Sequence, residues 1–222
     1  MEKIIVFSDL DGTLLDHNNY SFDAAKPALE LIAEKKIPLI LSSSKSLAEI
    51  KEIQNELKLQ HPFIVENGGA ICIPQGYFKT EEDFELVESF LIKFLGPSYD
   101  DILQTLETIK EDSNFSFKGF NDIAVEEIMS LTDLPFDKAQ QAKTRLCSEP
   151  VIWQDTLEKL PEFEDALKAH EYKLLKGGRF YHLMGNTDKG NGVRHLMKFY
   201  RKKYPKDQFV TIGVGDSPND VD

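Results

Sequence analysis

The stretch Ile4-Ile5-Val6-Phe7-Ser8-Asp9-Leu10-Asp11-Gly12-Thr13 decides the fold. Four apolar residues, three of them β-branched, read as a strand buried on both faces of a parallel sheet, and the polar residues and glycine after them end it. The strand's carboxyl end delivers two carboxylates, Asp9 and Asp11, one residue apart. Gly12-Thr13 then allow a tight turn whose backbone N–H groups are expected to be free, a combination that can cradle a phosphate. A lone Asp-x-Asp is more often a turn cap. Asp-x-Asp-Gly-Thr directly after a buried strand is more specific, and points to Asp9 as a nucleophile that forms an acyl phosphate. Asp11 would protonate the leaving alkoxide and then deprotonate the attacking water.

Working outward, residues 23 to 36 have helical spacing, with Pro27 acceptable only in the first turn. Ile37 to Leu41 reads as a second strand, and a helix follows from a Ser46 cap with Leu47, Ile50, Ile53 and Leu57 on one face. Phe63 to Val65 and Ala70 to Ile73 are further short strands around the turn Glu66-Asn67-Gly68-Gly69. This is half of a doubly wound, Rossmann-like parallel α/β sheet. Between about Phe84 and Leu175 the pattern becomes heterogeneous, which reads as an inserted α/β domain. The alternation resumes with an extended segment from Arg179 to Leu183, a helix from about Asn191 to Lys202 and a strand from Phe209 to Val214. The expected division is a core of residues 1–82 and 179–222 with a cap of residues 83–178. The sequence stops soon after Gly215-Asp216-Ser217-Pro218-Asn219-Asp220, where a sheet of this kind would add a helix and perhaps a strand.

The 222 residues are 41% hydrophobic, enough for a buried core. A formal charge of -12 argues against a nucleic-acid or anionic-membrane surface. Cys72 and Cys147 match no disulfide framework or metal spacing and read as apolar filler. With no apolar leader, the expected location is the cytoplasm. An acidic protein that handles a phosphorylated small molecule needs a locally positive site.

A carboxylate that attacks a phosphoryl group brings anion onto anion, so a divalent cation is expected, and an all-oxygen donor set suits Mg²⁺. Asp9, the Asp11 carbonyl and Asp216 are the candidate ligands, with Asp220 and Asn219 in contact or linked through water. Asp216 follows the strand ending at Val214, so two neighbouring strands can present carboxylates to one ion. Ser43, just after the second strand, is expected to offer its hydroxyl and its backbone N–H to a phosphoryl oxygen. Lys189, before a helix, can neutralise charge shared by Asp9 and the phosphate. Taken alone, each of these three features is an ordinary turn, cap or solvated lysine, and they take their weight from Asp9 and Asp11.

Asp9-x-Asp11-Gly12-Thr13, Ser43, Lys189 and Gly215-Asp216-x-x-Asn219-Asp220, in that order, resemble the motifs of the haloacid dehalogenase superfamily. The insertion resembles the α/β cap of its sugar-phosphatase branch. Within it, Glu66-Asn67-Gly68-Gly69-Ala70-Ile71, Ser148-Glu149-Pro150 and Gly178-Arg179-Phe180-x-His182-Leu183-Met184-Gly185 look most like the mannosyl-3-phosphoglycerate phosphatase family. The resemblance implies a Mg²⁺-dependent phosphatase whose substrate carries a glycerate carboxylate as well as a phosphate, under a cap that closes over the site. Arg179 would then bind the carboxylate, with His182 or Lys45 as further donors, while Glu66, Asn67 and Glu149 accept hydrogen bonds from sugar hydroxyls. The other readings are a broader hexose- or sucrose-phosphate phosphatase, a phosphosugar mutase and a non-catalytic sugar-phosphate-binding protein.

Overall fold

The computed structural model describes residues 2–16, 20–79, 84–177, 179–217 and 220. It divides into two compact units, one of Met1–Lys45, Ile50–Lys93 and Asp188–Asp222, the other of Ser46–Glu49 and Phe94–Thr187. In chain order, β1 (Glu2–Ser8) is followed by α1 (Lys26–Glu34), β2 (Leu39–Leu41), α2 (Leu47–Glu56), β3 (Phe63–Val65), β4 (Ala70–Pro74), β5 (Glu85–Val87) and β6 (Phe90–Phe94). Then come α3 (Tyr99–Asp112), β7 (Phe117–Gly119), α4 (Val125–Thr132), α5 (Phe136–Lys143), β8 (Ser148–Trp153), α6 (Leu160–Ala169), β9 (Tyr172–Lys176) and β10 (Tyr181–Gly185). The chain returns through α7 (Lys189–Lys203) and β11 (Gln208–Val214).

In the first unit a parallel sheet runs β11-β1-β2, and a parallel bridge from Ser42 to Ile64 carries the pairing on to β3. Apolar Ile5, Val6, Phe7, Ile40 and Leu41 are buried, whereas Ile4, expected to be buried with them, and Val210, Ile212 and Val214 of β11 are exposed. A second sheet, β3-β4-β6-β5, shares β3. Pro27 does fall in the first turn of α1, where its missing N–H costs nothing. Ser46 caps α2 reciprocally with Glu49: the Ser46 N–H donates to Glu49 Oε2 at 2.9 Å and the Glu49 N–H to Ser46 Oγ at 3.3 Å.

The second unit is built on an antiparallel sheet of order β7-β8-β10-β9. Successive side chains of a strand point to opposite faces. Val151 accordingly joins Ile102, Leu106 and Ile109 of α3 and Phe163 and Leu167 of α6. Its neighbour Ile152 packs with Ile128 of α4 and Ala139 of α5. The extended segment from Arg179 to Leu183, expected to open the returning core, forms β10 from Tyr181 onward and pairs with β8 and β9 here. A two-residue alternation marks a strand but does not say which sheet receives it. Helix α6 and the β5-β6 hairpin had no counterpart in the sequence reading, although Leu160, Phe163 and Leu167 form a helical stripe. Cys72 and Cys147 are both buried. Among the described residues no helix is long and apolar enough to cross a membrane.

Phe163 is fully buried and its ring meets Phe115, Phe117 and Trp153 at centroid distances of 5.4, 4.9 and 5.1 Å. Phe163→Ala should therefore destabilise the protein by about 3–5 kcal/mol in denaturant melts. Leu157→Ala, at a residue 72% exposed, should change stability by less than about 0.5 kcal/mol.

Candidate active site

The site begins in the register of two parallel strands. Ser8 of β1 pairs with Val214 of β11, and the Asp9 N–H donates to the Val214 carbonyl at 2.9 Å. The residues that follow each strand, Asp9 on one and Gly215-Asp216 on the other, therefore emerge side by side. The Ser8 hydroxyl donates to the Asp9 carbonyl at 2.8 Å and steadies the same bend. Gly12, at φ +75°, closes the contact, because a Cβ built on it would stand 2.3 Å from Asp216 Oδ2. Only glycine leaves room there for that carboxylate.

Lys189, the first residue of α7, is buried and sends its Nζ to Asp9 Oδ1 at 2.7 Å and to Asp220 Oδ1 at 2.6 Å. The carboxylates of Asp9, Asp216 and Asp220 each offer an oxygen within 4.8 Å of the others. Burial pushes the Asp9 carboxyl above its usual range, and the charge and hydrogen bond of Lys189 only partly offset that. Burial also raises Asp220, but hydrogen bonds from Lys189 and Ser217 outweigh it and the net direction is down. The Ser217 N–H donates to Asp220 Oδ2 at 3.0 Å, so both Asp220 oxygens have donors. Asn219 lies outside the described residues.

Two expectations about free N–H groups are corrected. The Gly12 N–H donates to the Leu15 carbonyl at 3.0 Å and the Thr13 N–H to the Leu10 carbonyl at 3.2 Å, so the turn consumes the donors that were to cradle a phosphate. The Ser43 N–H likewise extends the sheet, donating to the Ile64 carbonyl at 3.1 Å. What Ser43 retains is its hydroxyl, whose Oγ accepts from the Lys45 N–H at 3.3 Å and still has a proton to give. Lys45 Nζ sits 2.9 Å from Asp11 Oδ2, an ion pair the sequence did not suggest. Asp11 Oδ1 and Thr13 Oγ1 are buried without a hydrogen-bond partner among the described residues.

The remaining candidates divide between the units. Glu66 and Asn67 belong to the first unit and are buried, in a turn that is left-handed at both residues. Burial, with the Glu66 charge added, pushes the Cys72 thiol well above its usual range. Glu149, Arg179 and His182 belong to the second unit. Glu149 is fully buried, accepting from the Asn121 N–H at 2.7 Å and from the Tyr99 hydroxyl at 2.8 Å. Both of its oxygens thus accept hydrogen bonds locally. Arg179 is exposed and donates to the Leu131 carbonyl at 3.1 Å, with Asp133 at 3.4 Å. Arg145 was absent from the sequence reading; it is buried and donates to Ser148 Oγ at 2.7 Å.

Residues 6–222 match the haloacid dehalogenase-like hydrolase family. The chain belongs to that family. It is 43% identical over 219 residues, 98% of this chain and 80% of the relative, to a glucosyl-3-phosphoglycerate/mannosyl-3-phosphoglycerate phosphatase of Persephonella marina. A protein of the same name from Methanococcoides burtonii is 41% identical over 220 residues, 99% of this chain and 80% of the relative. Among solved structures, TM0651 of Thermotoga maritima aligns with a TM-score of 0.63 at 21% identity, covering 100% of this chain and 82% of that one. BT1666 of Bacteroides thetaiotaomicron, titled among the phosphatases of the superfamily, aligns with a TM-score of 0.62 at 16% identity, covering 100% and 80%. These structures share the fold.

For this haloacid dehalogenase-like hydrolase the donor set has the chemistry of a hard-cation site. Three carboxylates converge, one lysine balances part of their charge, and Asp11 has a buried oxygen left over. Asp9 and Asp216 are the residues best placed to hold a divalent cation, since Asp220 is already committed to Lys189 and Ser217.

His182, on β10, is the one site candidate with a resolved change in a neutral base. Its Nδ1 is buried with no hydrogen-bond partner among the described residues. Burial, with Arg145 adding like charge, pushes the ring down from 6.5 to about 3. The unfolded chain therefore takes up a proton near 6.5 that the folded chain refuses until about 3. Stability contributed by this site is unaffected above the unfolded value and is lost as pH falls through that window. His182→Gln should flatten the acid side of the stability profile below the unfolded value, as read by melts at fixed pH.

Proposed function

We propose that the chain is a Mg²⁺-dependent phosphoric monoester hydrolase acting on glucosyl- or mannosyl-3-phosphoglycerate, releasing the glycosylglycerate and phosphate. The observation that carries the reading is the Lys189 ammonium held between Asp9 and Asp220 at the paired ends of β1 and β11. Names of relatives above 40% identity over nearly the whole chain support the substrate class.

In this mechanism Lys189 occupies Asp9 Oδ1, leaving Oδ2 as the attacking oxygen. That oxygen forms a bond to phosphorus while the bond from phosphorus to the glycerate oxygen breaks, and Asp11 gives the departing oxygen its proton. Water then attacks phosphorus, Asp11 takes its proton, and the bond to Asp9 breaks to free phosphate. Lys189 and the Ser43 hydroxyl stabilise negative charge on the transferring group. Bound at Asp9 and Asp216, Mg²⁺ would supply the positive charge that lets a carboxylate approach a phosphoryl group.

Arg179 is assigned to the substrate's carboxylate. Its present pairing with Asp133 is exposed at both residues, a kind of contact that contributes at most about 1 kcal/mol and exchanges readily for another carboxylate. Lys45 serves in this reading by holding Asp11.

Asp9→Asn should abolish phosphate release from both glycosyl-3-phosphoglycerates while leaving the melting profile cooperative; a fully active variant would refute the mechanism. In the wild type, a chelator should remove activity and added Mg²⁺ restore it. Arg179→Ala should raise KM about tenfold for a glycerate-bearing substrate and much less for a simple hexose phosphate. Equal effects on the two would remove the carboxylate assignment. Turnover of hexose phosphates with none of the glycosyl-3-phosphoglycerates would favour the broader sugar phosphatase.

A further inference from the structure

The turn Glu66-Asn67-Gly68 holds three consecutive residues at positive φ, 50°, 56° and 90°. Left-handed backbone crowds a Cβ, so Glu66 and Asn67 carry strain that persists only where the surroundings impose it. All three residues are buried. The Glu66 N–H donates to the Lys45 carbonyl at 3.1 Å and the Asn67 N–H to the Ser43 carbonyl at 3.0 Å. On the other side the turn meets the start of α7 backbone to backbone. A Cβ on Gly68 would fall 1.9 Å from the Asp188 carbonyl oxygen and 2.8 Å from the Lys189 nitrogen. One turn later, a Cβ on Gly192 would lie 2.8 Å from Ile64 Cγ2 of β3.

We infer that this turn is a positioning element that sets Ser43, Lys45 and Lys189 relative to one another. Ser43 and Lys45 lie on the loop after β2, and Lys189 opens a helix far along the chain, so no local structure relates them. The turn does so by binding the loop's two carbonyls with successive N–H groups and lying against the peptide that carries Lys189. Its left-handed path is what lets both contacts be made at once. Glu66 and Asn67 then act through their backbones, and the sugar contacts expected of their side chains are not needed. The kinetic part of the test rests on the proposed function; the exchange part does not.

The test is amide hydrogen exchange and steady-state kinetics on the full chain carrying Gly68→Ala. The Asn191 N–H is bound by the Asp188 carboxylate and the Gly192 N–H by the Asp188 carbonyl. Exchange at those two amides should quicken about tenfold or more, while the amides of Phe199 and Tyr200 in the same helix keep their protection. For Mg²⁺-dependent release of phosphate, kcat should fall about a hundredfold with KM changed less than about threefold, as expected for a displaced charge. Unchanged exchange at Asn191 and Gly192 in the folded variant overturns the inference. Should Gly68→Ala fail to fold, Asn67→Gly and Asn67→Ala decide. Glycine, which accepts φ 56°, should retain about tenfold more kcat than alanine at that position. A raised KM in both variants with kcat intact would make Asn67 a substrate contact and overturn the positioning role. A wild type that releases phosphate from no ester would refute the phosphatase reading and leave the exchange result standing.

Discussion

A lysine ammonium shielded from water between two carboxylates is the interaction around which the core is organised. Lys189 offsets only part of the charge of Asp9, Asp216 and Asp220, which converge within 4.8 Å. Three carboxylates at that range repel one another strongly in a partly desolvated site, and the remaining charge calls for a cation. The Asp9 carboxyl is raised chiefly by burial, which the charge and hydrogen bond of Lys189 only partly offset. A bound cation and a dianionic phosphoryl group would together complete the balance that the chain leaves open.

Holding such charges in place is a task for backbone. Asp9 is tied to Val214, Gly12 admits Asp216, and Gly68 admits the peptide of Asp188 and Lys189. At Gly68 the constraint is the distance between main chains and at Gly12 the approach of a side-chain carboxylate to a left-handed turn, and glycine permits both. The same economy explains why the N–H groups of Gly12, Thr13 and Ser43 are consumed by the turn and the sheet. They shape the site, which leaves side-chain groups, the Ser43 hydroxyl, the Lys189 ammonium and the clustered carboxylates, as the polar groups that line it.

The second unit has its own buried polar system. Glu149 accepts from the Tyr99 hydroxyl and the Asn121 N–H, Ser148 Oγ accepts from Arg145, and His182 stays neutral against Arg145. Groups of this kind are costly unless satisfied, and they specify how the sheet and its flanking elements meet. Arg179, by contrast, is held by exposed contacts that contribute little to the fold.

The candidate residues Asp9, Asp11, Lys189 and Asp216 were legible in the sequence because each lies close to the end of a strand or helix with a distinct apolar pattern. Short-range order alone places them at element ends. The doubly wound arrangement was legible for the same reason, since continuous apolar strands alternating with helices admit few other sheets. Less could be read where partners lie far apart in the chain. The pairing of Lys45 with Asp11, the closure of Glu149 by Tyr99 and Asn121, and the membership of Tyr181–Gly185 in the second unit's sheet all depend on such contacts. The sequence by itself determined the kinds of chemical group available and the order of the elements, through local periodicity and turn chemistry. Only the tertiary structure decided which N–H groups were already spent and which charges faced one another, because hydrogen-bond and ion-pair partners are set by distance in space.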